Sequence, residues 1–219
     1  MHLFKAKKFS QSSQRWLRRQ LKDPYVKKAL TKGVRSRAAF KLEEIHQKYN
    51  LFQKGQVVVD LGAAPGGWSC VVAPLVQSVA SPKGCVIAVD LLEMEAIEGV
   101  TFLRGDFTAD TTQNQLLDVV SAQGGVMDAV ISDMAPSLTG HAATDHLRQM
   151  HLTNEALAFA TQHLSKDGFF VVKIFQGAQE AAFLKSLRAS FKRVYTVKPD
   201  ASRPKSREMY AVCCDFLGS

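Results

Sequence analysis

At 219 residues, 46% apolar and 22% charged, the chain has the composition of a soluble globular protein and the length of one α/β domain with a full core. No apolar run approaches the roughly 18–20 residues of a membrane span, and the opening M-H-L-F-K-A-K-K-F lacks a signal-peptide core. The net charge of +8 is uneven: residues 1–41 carry +12, residues 42–184 carry −9 and residues 185–219 carry +5. A polyanion gripped by both ends is the physical reading, with solvated tails that aid solubility as the plainer alternative.

In chain order, residues 1–10 read as a disordered basic arm. Residues 12–30 carry Trp16, Leu17 and Leu21 at helical spacing, and Asp23 before Pro24 marks a new helix start. Aromatics among Arg and Lys suit RNA, although Trp16 and Tyr25 serve equally well as an apolar underside. After Gly33, S-R-A-A-F-K-L-E-E-I-H-Q-K-Y reads as an amphipathic helix with Ser36 as a candidate N-cap and Lys41 at the edge of its apolar face. Val57–Asp60 is a buried strand, followed by a glycine-rich turn and a helix over about 68–80. Further strands are expected at Cys85–Asp90, Val100–Leu103, Met127–Asp133, Phe169–Phe175, Phe191–Val197 and Glu208–Phe216. Helices are expected over about 111–122, 144–165 and 178–190. The one over 144–165 would turn Leu147, Met150, Leu157, Ala160 and Leu164 inward.

This alternation predicts a Rossmann-like α/β fold. Its sheet is seven-stranded and mostly parallel, with helices on both faces. The last strand follows a loop without a helix, so it should be antiparallel. The division expected is one domain, with a basic arm and helices over 1–50 and a catalytic core over 51–219. The four cysteines (Cys70, Cys85, Cys213 and Cys214) match no zinc spacing and read as reduced. No metal site is expected.

The stretch V-V-V-D-L-G-A-A-P-G-G-W at 57–68 organises the chain. Gly62, Pro65, Gly66 and Gly67 leave the turn almost without side-chain bulk, so a ligand can approach the backbone, and a helix opens at Trp68 with free N–H groups. Asp60, Asp90, Asp133 and Lys173 lie at or near carboxyl ends of strands, with Asp106 just beyond one. That edge is where such sheets bind ligands. The pattern departs from the dinucleotide fingerprint: it reads G-A-A-P-G-G, and Asp90 lies 28 residues after Gly62. No basic residue in the turn could pair with a pyrophosphate. A neutral turn beside acidic strand ends suits S-adenosyl-L-methionine (AdoMet), which has a ribose, an adenine and a zwitterionic tail.

The motifs D-L-G-A-A-P-G-G-W-S at 60–69, D-L-L at 90–92, G-D-F at 105–107, S-D-M-A-P at 132–136, V-K-I-F at 172–175 and S-R-E-M-Y at 206–210 together resemble the FtsJ/RrmJ family of RNA 2′-O-ribose methyltransferases. S-R-A-A-F-K-L at 36–42 matches the segment before that family's core. The resemblance runs from about Trp16 to the C-terminus. It implies a catalytic tetrad on Lys41, Asp133, Lys173 and Glu208. It further implies that Gly66, Gly67 and Trp68 border the methionine part of AdoMet, with Asp90 near the ribose, Asp106 near the adenine amino group and Asp133 between cofactor and catalytic groups. Within the family, the likeness is to enzymes acting on large-subunit ribosomal RNA, at a uridine ribose of the A-loop.

The chemistry explains the residue types. A ribose 2′-hydroxyl must lose its proton as it attacks the methyl, so positioning and a base are needed. Lys173 is the expected proton acceptor, with Lys41 and Glu208 orienting it and the hydroxyl. Lys41 and the sulfonium would favour its neutral form, Asp133 and Glu208 its charged form. Expected partners are ribosomal RNA or the large subunit, bound through basic residues of 1–41 and 185–207, with no membrane and a monomeric chain. The expected compartment is the bacterial cytoplasm. The acid-poor start leaves a mitochondrial presequence open, although its basic character runs past any plausible cleavage point. The competing readings are methylation of a tRNA or mRNA-cap ribose, and a non-catalytic RNA-binding assembly factor.

Overall fold

The computed structural model describes residues 23–77, 84–137 and 139–218. Two helices lead into the sheet: α1 (Pro24–Lys32) and α2 (Ala38–Tyr49). Asp23 caps α1 as expected, its carboxylate accepting from the Tyr25 N–H, and Pro24 occupies the first turn, where its missing N–H costs nothing. Ser36 does not cap α2. Arg37 stands at that position without a side-chain cap, and the Ser36 hydroxyl is buried against Gly67 instead. The expected helical segment before Asp23, with Trp16, lies outside the described residues.

The core is a seven-stranded sheet: β1 (Val57–Leu61), β2 (Cys85–Asp90), β3 (Val100–Arg104), β4 (Ala129–Ser132), β5 (Phe169–Phe175), β6 (Phe191–Val197) and β7 (Glu208–Phe216). Their order is β3-β2-β1-β4-β5-β7-β6. The first five strands in that order are parallel; β7 runs antiparallel between β5 and β6. This is the Rossmann-like sheet with an antiparallel last strand expected from the sequence. β1 and β4 are neighbours, so the strand order reverses between them and opens a crevice at their carboxyl ends.

The sheet's central strands are buried on both faces, which is why β1, β4 and β5 are mostly apolar rather than alternating, with Asp60, Ser132 and Lys173 as their polar members. On one face α2 and α3 (Gly67–Val76) pack Leu42, Ile45, Trp68 and Val72 against Val58, Ile131, Val171 and Tyr210. On the other, α4 (Asp110–Ala122), α5 (Ala142–His163) and α6 (Glu180–Ser190) cover Val59, Val130, Val172 and Ile174. Met150, Leu157, Ala160 and Leu164 of the long-helix region face inward as expected, but Leu147 is 56% exposed. Asp145, Gln149, Met150 and Thr153 form the buried face of these turns, and Leu147 falls on the outer face with Arg148 and His151. Cys213 and Cys214 are buried, Cys70 and Cys85 half-buried, and all four are free thiols.

Candidate active site

Two cavities meet at the end of β1. The larger, about 410 Å³, is lined by Gly62, Ala64, Asp90, Leu91, Leu92, Asp106, Phe107, Asp133 and Met134 among others. The smaller, about 190 Å³, is lined by Ser36, Arg37, Gly62–Pro65, Gly67, Trp68 and Asp133. Gly62, Ala64 and Asp133 border both. The turn can be this thin only because Gly62 carries no Cβ: one placed there would lie 2.7–2.9 Å from Met134 Cγ, Cα and N. Gly62 also sits at φ +77°, in the left-handed region. The Ala64–Pro65 peptide is cis.

The acids around the turn have distinct tasks. Asp90 accepts from the N–H groups of Ala64 (2.9 Å) and Leu92 (2.8 Å), so it fastens both walls of the larger cavity. Asp106 accepts from the Thr108 hydroxyl (2.7 Å) and N–H (2.9 Å), which hold its carboxyl below the usual range. Asp60 is fully buried behind the turn. Ser69 donates to one oxygen at 2.6 Å, and the other has no hydrogen-bond partner among the described residues. Burial pushes the Asp60 carboxyl up to about 7 against the Ser69 hydrogen bond, with Asp133 and Asp90 adding to the rise.

At the junction of the cavities lies a buried chain of charged and phenolic groups. Lys41 of α2 donates to Glu208 Oε1 and to the Tyr210 hydroxyl, both at 2.9 Å. Tyr210 donates in turn to Asp133 Oδ1 at 2.7 Å, and Lys173 reaches the same oxygen at 3.1 Å. Lys173 also donates to the Asp133 carbonyl at 2.5 Å. Both lysines are buried, at 7% and 6% exposure. Burial would raise the Asp133 carboxyl, but Lys173, Lys41 and the Tyr210 hydroxyl outweigh it and hold it below its usual value. Burial and the two neighbouring carboxylates push the Tyr210 phenol well above its own. The register explains the grouping: Lys173 is the cross-strand partner of Tyr210, and Glu208 that of Phe175, so all three project from the sheet face that carries α2.

The FtsJ-like methyltransferase family model matches residues 34–216. The chain belongs to the FtsJ-like methyltransferase family. "Ribosomal RNA large subunit methyltransferase E" of Acidiphilium cryptum is 47% identical over 213 residues, 96% of this chain and 90% of that protein. The protein of the same name from Chromohalobacter salexigens is 48% identical, covering 95% and 97%. Among solved structures, a ribosomal RNA methyltransferase from Plasmodium falciparum superposes with a TM-score of 0.72 at 30% identity, covering 84% of this chain and all of that one.

In this FtsJ-like methyltransferase all four residues of the expected tetrad come together. Their pairing differs from expectation: among the described residues Glu208 pairs with Lys41, not Lys173, and Lys173 pairs with Asp133. Of the expected cofactor residues, Gly62, Asp90, Asp106 and Asp133 line the larger cavity, and Pro65, Gly67 and Trp68 the smaller. Gly66 lines neither. Its missing side chain makes room for Met94, Ile97 and Arg35. Trp68 is buried, its indole N–H donating to the Ala38 carbonyl at 2.9 Å and its ring 5.6 Å from that of Tyr210.

Sequence reasoning missed Tyr210, the centre of the chain, which sat unmarked inside S-R-E-M-Y. It also missed Asp145, whose carboxylate takes three hydrogen bonds from Thr139 and Gly140 and so fastens the loop after β4. The two basic ends are joined more closely than charge counting implied. Asp23 pairs with both Arg37 and Arg203 (3.3 Å for the latter), and Glu44 accepts from the N–H groups of Asp200 and Ala201. Tyr25 packs on Phe40 at 5.8 Å, so it serves the apolar underside.

Proposed function

We propose that this methyltransferase uses AdoMet to methylate a ribose 2′-hydroxyl of large-subunit ribosomal RNA, at a uridine of the A-loop. The observation that carries the chemistry is the buried Lys41–Tyr210–Asp133–Lys173 chain at the junction of two cavities. The RNA class is supported by the names of the relatives at 47–48% identity. The residues present fit AdoMet: Gly62, without a Cβ, lets the turn lie close against Met134 between the two cavities, and Asp90 and Asp106 stand in the larger cavity, ready for a ribose and an adenine amino group.

When bound, AdoMet supplies an electrophilic methyl on a sulfonium. The chain's own groups do the rest. Lys41, anchored by Glu208 and Tyr210, directs its remaining N–H at the incoming hydroxyl oxygen and orients its lone pair for in-line attack. Lys173, acting as the free amine with two N–H bonds directed at Asp133, would take the hydroxyl proton on its lone pair as the hydroxyl oxygen receives the methyl from the bound donor. Asp133 holds Lys173 in place and, between cavities, opposes the positive charge of the donor. The tetrad residues Lys41, Asp133, Lys173 and Glu208 thus divide into two anchored lysines and their two carboxylate holders.

Basic residues of 1–41 and 185–207 would bind the RNA backbone of the subunit, the chain acting as a monomer. The two relatives at 47–48% identity are bacterial proteins, whereas the Plasmodium protein is 30% identical; the higher identity supports the bacterial cytoplasm over a mitochondrion. The test is incubation with labelled AdoMet and, separately, large ribosomal subunits, naked ribosomal RNA, tRNA and capped RNA. Label in a 2′-O-methyl nucleotide of large-subunit RNA is expected. Label only in tRNA or capped RNA would move the substrate, and label in none would overturn the enzymatic reading.

A further inference from the structure

Arg35 lies in the link between α1 and α2, within a segment whose basic residues suggest RNA phosphates. Its guanidinium is engaged elsewhere. It donates to three main-chain carbonyls: Glu95 at 2.6 Å, Ala96 at 2.7 Å and Pro65 at 3.4 Å. Three of its five N–H donors are thereby committed to protein backbone. The carbonyls belong to two separate walls. Pro65 is in the glycine turn beside the smaller cavity, and Glu95 and Ala96 are in the segment after β2 whose first residues, Leu91 and Leu92, line the larger one.

Apart from Arg35, that segment is held at its two ends. Leu91 and Leu92 are 62% and 68% exposed. Asp90 and Arg104 hold its near end, through the Leu92 N–H, the Leu91 carbonyl and Glu93. At its far end Met94 and Ile97 rest on Gly66, so closely that a Cβ there would meet Ile97 Cδ1 at 2.7 Å and Met94 Sδ at 2.9 Å. Arg35 adds its own Cδ to that contact and ties the segment to the turn.

We propose that Arg35 is a positioning residue for the cofactor: a fork that latches segment 91–97 onto the glycine turn and so closes the wall of the methyl-donor cavity, rather than an RNA phosphate contact. The inference rests on the AdoMet reading above. A planar fork can span carbonyls on two segments at once; a lysine ammonium at the same place reaches one side only.

The test compares wild type, Arg35→Ala and Arg35→Lys in three measurements: AdoMet titration by calorimetry, KM and kcat for AdoMet with large ribosomal subunits, and filter binding of naked ribosomal RNA across salt without AdoMet. Arg35→Lys keeps the stem packed on Gly66 and the charge, so it answers the question even if Arg35→Ala does not fold. Expected for both variants is a rise in the Kd and KM for AdoMet of about tenfold, from lost charge-assisted hydrogen bonds. At saturating AdoMet kcat should stay within about twofold of wild type, and RNA affinity and its salt slope should not change. AdoMet affinity within twofold of wild type in both variants would overturn the latch, as would a reduced salt slope with an unchanged AdoMet KM. Failure of the wild type to bind AdoMet would instead overturn the functional reading itself.

Discussion

The hydroxyl of Tyr210 donates to Asp133 at 2.7 Å across 77 residues of chain, and at the same time accepts from Lys41 at 2.9 Å. One phenol therefore joins the two lysine–carboxylate pairs into a single buried network, in which each group's position depends on the others. Tyr210→Phe removes that joint while keeping the ring against Trp68. The expected result is a loss of about 1–2 kcal/mol in stability and a fall in single-turnover methylation of roughly tenfold or more, with AdoMet affinity little changed. Thermal unfolding and single-turnover rates check the two effects separately.

Lys173→Ala should cost on the order of 10²–10⁴ in kcat, the range of a lost general base. AdoMet affinity should hold within a few-fold, since Lys173 itself lines neither cavity and stands behind Asp133. Methylation assays with saturating AdoMet and calorimetric titration of the variant test this; near-normal kcat would remove Lys173 as proton acceptor.

Gly62→Ala places a Cβ 2.7–2.9 Å from Met134 backbone and side-chain atoms, at a φ of +77°. The Asp133–Met134 segment must then shift. About 1–3 kcal/mol of stability should be lost, and AdoMet affinity should fall at least about tenfold because both cavities share this residue. A denaturant titration and a binding isotherm measure the two losses.

Asp60 gives the protein a pH signature of unusual sign. Its carboxyl is raised to about 7 in the folded chain, from an ordinary value near 3.8. Between those values the folded state holds a proton that the unfolded state has released. The contribution of Asp60 to stability is therefore present in acid and is lost as pH rises from about 4 to about 7, then levels off. Asp60→Asn, which keeps the shape and a partner for Ser69, should be more stable than wild type at pH 8 by roughly a few kcal/mol. The gap should shrink toward pH 5. Unfolding midpoints of both proteins from pH 5 to pH 8 test the sign; a gap that widens toward acid contradicts it.

RNA binding should weaken steeply with salt, by roughly one to several decades between about 50 and 200 mM, if the basic ends grip phosphates. Lys205→Gln, at an exposed position of the loop after β6, should reduce the slope of log K against log salt by about one unit. Filter binding across salt is the measurement, and an unchanged slope would take that residue out of the RNA interface.

Local sequence carried the strands, the thin turn and the acids at the strand ends. Each follows from short-range rules: β-branched runs, glycine where the chain must turn tightly, helix period on one face. Motif likeness carried the tetrad as a set of residue types. It did not carry who holds whom. Glu208 pairs with Lys41 rather than orienting Lys173, because the antiparallel register of β7 on β5 sets Tyr210, not Glu208, opposite Lys173. That register, and the docking of α2 over it, bring together groups 169 residues apart, which no local period encodes. Leu147 shows the limit of an apolar period: the buried face of α5 runs through Gln149, Met150 and Thr153, and Leu147 lies outside it at 56% exposure.

For this protein the sequence by itself determined the alternating α/β architecture and the residues available for chemistry, because side-chain period and turn composition are properties of neighbours along the chain. Only the tertiary structure decided that Tyr210 links the two lysines, that Asp60 is sealed away from water, and that the Arg35 fork reaches backbone carbonyls on two segments. Those are matters of register and burial, and burial is what sets how strongly each charged group feels the next.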